Sequence, residues 1–145
     1  MSIEPDTIRL LRECDAGIKM GVSAIDEVLD YVHDDELRRQ LQSNKKDHEV
    51  LKVELQAALD RFGDDGKEPN IMAKGMSWMK TNMKLVMDES DEMVADLITD
   101  GCNMGVKSLT KYLNQYKAAD EDSKRIAKKL IQLEEQLALE MRKFL

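Results

Sequence analysis

The sequence predicts an all-α fold: a four-helix bundle built from two copies of one helical hairpin, with a short extra helix in the crossover between them. Three observations carry that expectation. Composition is the first: 35% of the 145 residues are charged and 42% hydrophobic, with 4% aromatic, seven glycines and two prolines, a mixture that favours helix over sheet. Apolar residues recurring at three- and four-residue steps are the second. The third is an internal echo. Gly17-Ile18-Lys19-Met20-Gly21-Val22 returns as Gly101-Cys102-Asn103-Met104-Gly105-Val106, and the match runs on through Ala24/Ser108, Ile25/Leu109 and Leu29/Leu113. After a two-residue shift, residues 37–59 align with 123–145, pairing Arg39 with Arg125, Glu49 with Glu135, Leu51 with Leu137 and Glu54 with Glu140. A repeat constrains architecture more than any single motif does.

Taken in order, the first helix is expected from about Asp6 to His33, with Ile8, Leu11, Cys14, Ile18, Ile25, Leu29 and Val32 on one face. Asp34-Asp35 ends it and offers an N-cap for the second, because a carboxylate both accepts from free N–H groups and suits the positive end of the helix. That second helix reaches about Phe62, carrying Leu37, Leu41, Asn44, His48, Leu51, Leu55 and Phe62. Gly63-Asp64-Asp65-Gly66-Lys67-Glu68-Pro69 breaks it. A shorter helix is expected from Asn70 to Met87, with Met72, Met76, Met79, Met83 and Met87 on one stripe. Asp88 and Asp91 resemble a capping box and start the next helix, which runs to about Tyr116 with Val94, Leu97, Ile98, Gly101, Met104, Gly105, Ser108 and Tyr112 inward. Lys117–Asp120 turns the chain into a last helix bearing Ile126, Leu130, Leu133, Glu134, Leu137, Met141 and Phe144. The whole reads as one domain, residues 1–145: hairpin one at about 6–62, crossover 63–88, hairpin two at about 89–145. Antiparallel neighbours need only ~2–8 linking residues, so the long middle connection returns the chain along the bundle.

Net charge is −7 with the signs interspersed, which disfavours nucleic acid and anionic membrane as partners. No apolar run approaches the ~18 residues of a membrane span, and the first residues lack the basic-then-apolar order of a signal peptide. Cys14 and Cys102 show no metal-type spacing. Two unpaired thiols suit a reducing compartment, and a cytoplasmic location is the expectation.

With hairpin and crossover in place, the chain resembles uncharacterised bacterial ferritin-like proteins of about this length. The resemblance rests on Ile25–Leu41, Gly75-Met76-Ser77-Trp78-Met79, Ala95–Leu113 and Leu133–Leu145. It covers most of the chain as a helical pattern with few diagnostic residues. The wider ferritin-like group implies carboxylate-bridged di-iron chemistry, in which two helices each give a Glu and two others each give a Glu-x-x-His pair. That ligand set is incomplete here. His33 follows Asp30 by three but sits at a helix end, and His48 is preceded at that spacing by Lys45. The repeat counterpart of His48 is Glu134, which has Leu137 three residues on.

His48 and Glu134 nevertheless fall at the centres of their stripes, with Asp15 the nearest carboxylate on the first helix. The simpler reading is a buried hydrogen-bonded pair, since unpaired buried polar groups are costly. The sharper one is a reduced metal site of His48, Glu134 and Asp15, holding Fe or Zn on mixed N/O donors. No catalytic constellation and no cofactor are otherwise expected. The glycines Gly17, Gly21, Gly101 and Gly105 each cost about 1 kcal/mol of helix propensity relative to Ala. Close helix–helix packing between the two copies would explain them; room for a ligand in the bundle centre is the alternative. Met72, Met76, Trp78, Met79 and Met83 read as packing or as an interface, and exposed Val50, Val53 and Leu139 point to a second copy or another protein as partner. Three functions follow in order: a non-catalytic structural or interaction protein, a metal-binding or redox protein on the reduced ligand set, and a small-ligand-binding bundle marked by a pocket beside Gly101 and Gly105.

Overall fold

A computed structural model describes residues 5–70 and 89–145. Four long helices account for most of them: α1 (Pro5–Leu29), α2 (Asp35–Arg61), α3 (Asp91–Gln115) and α4 (Glu121–Met141), followed by a 3₁₀ turn at Arg142–Phe144. There is no strand among the described residues.

Helices α2, α3 and α4 each start where the sequence supplies an oxygen to accept free N–H groups. Asp34 caps α2 through Leu37 N at 3.0 Å, Ser90 caps α3 through Met93 N at 3.1 Å, and Asp120 caps α4 through Ser123 N at 2.7 Å. The expected pairing of Asp88 with Asp91 is replaced by Ser90, and Asp88 lies outside the described residues. Asp91 is occupied elsewhere. Its two carboxylate oxygens accept from His33 N at 2.7 Å and Asp34 N at 3.0 Å, so it clasps the turn between α1 and α2. That turn arrives four residues earlier than periodicity suggested. Tyr31 N and Val32 N bond back to Val28 O and Leu29 O, a tightened last turn that lets Val32 drop into the core.

Those bonds fix helix directions. α3 begins beside the α1–α2 turn, while the α3–α4 turn docks on the start of α1, through Ala118 N to Asp6 and Asp120 N to Thr7 Oγ1. Accordingly α1 runs antiparallel to α2 and α3 and parallel to α4. α1 packs on α2 and α3, and α4 on α3 and α2, with α1 and α4 also in contact across the middle. α2 therefore ends at the opposite end of the bundle from the start of α3. The short helix expected at 70–87, with Met72, Met76, Trp78, Met79, Met83 and Met87, lies outside the described residues.

The core falls into two apolar clusters. One, at the end bearing the α1–α2 turn, gathers Ile25, Val28, Leu37, Leu41, Val94, Leu97, Ile98, Leu137 and Met141. The other gathers Leu10, Leu11, Ile18, Leu55, Leu59, Leu109, Ile126 and Leu130. Neither cluster includes His48, Asn44 or Glu134, which are buried all the same. The face of α3 needs correction. Its buried residues are Val94, Ala95, Leu97, Ile98, Cys102 and Leu109, and Met104 is 70% exposed. Four-residue spacing admitted two adjacent stripes here, and the one carrying Cys102 and Leu109 took the inside.

Candidate functional site

Midway along the bundle, His48 of α2 and Glu134 of α4 turn inward towards each other. His48 is fully buried and Glu134 is 8% exposed. His48 Nε2 and Glu134 Oε1 are 3.1 Å apart, and His48 Nδ1 lies 2.9 Å from the main-chain carbonyl of Asn44. Both ring nitrogens therefore face oxygen. A carbonyl can only accept, so Nδ1 carries a proton and donates to it; a second proton must lie between Nε2 and Oε1. Which of the two carries that proton is set by their relative proton affinity, and the raised pKa of His48 favours an imidazolium donating to the carboxylate. Burial opposes charge on His48, but the hydrogen bond and charge of Glu134, helped by the Asn44 carbonyl, hold its pKa above the usual value. Asn44 steadies the layer further, its Nδ2 donating to Leu133 O at 3.1 Å.

The glycines make this layer fit. A Cβ at Gly21 would stand 3.0 Å from His48 Nε2 and 3.3 Å from Glu134 Oε1; one at Gly17 would press on Leu130 at 3.3 Å; one at Gly105 would rest 3.5–3.7 Å from the Glu134 carboxyl end. Their close neighbours are side chains of α2 and α4. Leu109 of α3 also lies 4.0 Å from a Cβ at Gly17, and at Gly101 a Cβ would meet nothing within 4 Å among the described residues.

Between α1 and α3 the missing side chains leave a cleft of about 450 Å³. Ala16, Gly17, Gly21 and Ala24 form one wall and Gly101, Gly105 and Ser108 the other; His48, Cys102 and Glu134 also line it, with Glu13 and Tyr112. Glu134 turns its second oxygen, Oε2, towards Gly105. Among the described residues no N–H or O–H donor reaches Oε2. The Cys102 thiol is the donor beside this carboxylate, and a thiol donates weakly. Burial first, then the nearby carboxylate, pushes the Cys102 pKa up, so this sulfur stays protonated and is a poor nucleophile. Cys14, buried in α1, is pushed up to about 12 by burial, with Glu13 and Asp15 adding to it.

Asp15 does not join His48 and Glu134. It is 1% exposed, and its Oδ2 takes Lys19 Nζ at 2.8 Å and Lys67 N at 2.9 Å. Its work is to hold the start of the long connection, alongside Lys67–Glu13, Lys19–Glu68 and Arg12–Asp64. His33 is exposed at the α1–α2 turn. No group of three or more His, Cys, Asp or Glu side chains is placed to hold a metal ion among the described residues. In the structure both His48 ring nitrogens are engaged, Nδ1 with Asn44 O and Nε2 with Glu134 Oε1. Cys102 and Tyr112 were the cleft residues that helical periodicity did not single out as polar groups of interest. Their signal was faint: Cys102 stands inside the repeated glycine segment.

No protein-family model, no curated protein and no solved structure matches the chain. No helix among the described residues is long and apolar enough to cross a membrane.

Proposed function

We propose that this chain is a ferritin-like helical bundle that binds a small molecule instead of housing a di-iron centre. The observation that carries this reading is the cleft between α1 and α3, lined by small residues and floored by a buried ion pair. Its volume lies within the ~300–1,000 Å³ typical of ligand sites, and mixed apolar walls with a few polar groups are their usual make-up. The α1/α2 and α3/α4 hairpins, with a long connection between them, support the ferritin-like part. A purely structural bundle would gain by filling the gap, since helical glycine costs about 1 kcal/mol against alanine. The small-ligand reading therefore moves ahead of the structural and metal-binding ones.

Titration of isotope-labelled protein with small neutral organic molecules, benzyl alcohol and cyclohexanol among them, tests it by NMR. Amide shifts are expected to cluster at 17–24 and 101–109 and to disappear in Gly101→Leu, whose side chain would occupy the cleft. Absence of localised shifts with every probe would overturn the reading.

A further inference from the structure

We propose that the cleft selects a primary ammonium group on a small hydrocarbon body, received by Glu134 Oε2. The inference rests on the small-ligand reading above and adds the chemical class.

The polarity of the floor decides the class. His48 is the cationic group there, and both its N–H bonds are spent, one on Asn44 O and one on Glu134 Oε1. It has no donor left for an anionic ligand. Glu134 is the reverse: Oε1 is engaged, while Oε2 lies towards Gly105 and, among the described residues, has only the weak thiol donor of Cys102 beside it. An imidazolium behind and a carboxylate in front make a dipole whose negative end points into the cleft. Glu13 adds a second carboxylate to the lining, although Lys67 partners it.

An ammonium in that position donates a charge-assisted hydrogen bond, which is stronger than one between neutral groups. An alcohol of the same shape makes only a neutral donor's bond. A carboxylate meets the negative end of the dipole and leaves Oε2 without a donor. The walls fit a hydrocarbon body, because Ile25, Ile98, Leu109 and Leu137 line the same space. Glycine and alanine elsewhere keep a methylene chain or small ring clear of the helix backbones.

Benzylamine, benzyl alcohol and benzoate are near-equal in shape and differ in the group presented to Oε2. Calorimetric titration at neutral pH is expected to give benzylamine about tenfold or more tighter binding than benzyl alcohol, the scale of a hydrogen bond to a charged group, with benzoate undetectable. High salt should preserve that ratio, because a buried partner is screened far less than the acidic surface. Glu134→Gln should bring benzylamine down to the level of benzyl alcohol, and Gly101→Leu should abolish binding of both. Equal binding of amine and alcohol, or preference for benzoate, overturns the ammonium assignment while leaving the small-ligand reading intact. Failure of all three probes overturns both. Benzylamine binding that survives Gly101→Leu places the amine elsewhere and overturns the assignment. The wild-type ratio decides the matter even if Glu134→Gln does not fold.

Discussion

A single missing methyl group separates the roles of the helical glycines. At Gly21 a Cβ falls 3.0 Å from His48 Nε2, close enough that the ring would have to give by a few tenths of an ångström, and both its nitrogens are held by hydrogen bonds. Gly21→Ala is therefore expected to lower stability despite the better helix propensity, while Gly101→Ala, with nothing within 4 Å of its Cβ among the described residues, should raise it by up to about 1 kcal/mol. Thermal or urea unfolding of the two variants checks this opposition. His48 supplies a second prediction at the same scale. Its folded pKa is raised, so its contribution is fully present below its unfolded value, near 6.5, and is lost as pH rises through the folded value. Stability should fall over that rise by an amount that disappears in His48→Gln, as urea midpoints across neutral and mildly alkaline pH would show. The stripe positions of His48 and Glu134 and the cost of leaving either unpaired made their hydrogen-bonded contact legible; its geometry was not, since periodicity gives a helix face and not the rotation of one helix against another.

The link between the hairpins is fastened at both ends by carboxylates on helices. Asp15 holds its beginning, where Gly66 has φ +88° and approaches so closely that any Cβ would collide with the Asp15 carboxylate. Gly66→Ala thus meets two penalties at once: a left-handed backbone unfavourable to side chains and a steric clash with a buried acid. It should release the segment from α1, readable as faster amide exchange at 64–68 with α2 protection unchanged. Asp91 holds the other end by bridging His33 N and Asp34 N, and Asp91→Ala should speed exchange at 32–36 in the same manner. On the surface, Glu54 accepts from Arg125, which also meets Asp122, and Arg61 meets Asp122. These link α2 to α4, but exposed pairs contribute only ~0–1 kcal/mol each. Element boundaries from sequence were good where an Asp or Ser cap stands and poor at the end of α1, where no glycine or proline marks the stop. At α3 the choice between neighbouring stripes turned on which side chains fill space between partner helices.

Across the whole bundle, a polar layer divides two apolar clusters and carries charge in the centre. Removing one member leaves the other buried and uncompensated, a loss of about 3–5 kcal/mol, whereas replacing both by apolar residues is often neutral or stabilising. Glu134→Leu is accordingly expected to destabilise severely, and the double change His48→Leu with Glu134→Leu to recover most or all of the loss. Denaturant unfolding of the two singles and the double closes that cycle; equal destabilisation by the double and the Glu134 single would contradict the ion-pair account.

The chain's own pattern determined an all-helical bundle, its four long helices and most of its buried residues, because three- and four-residue apolar spacing and capping oxygens act locally. It also placed His48 and Glu134 inward. Only tertiary structure decided how these two meet and which oxygen Glu134 leaves towards the cleft, that Asp15 serves the connecting segment instead, and that the glycines shape a cleft. Each of those outcomes depends on the distance and rotation between helices far apart in sequence, and such quantities come from packing the whole core at once.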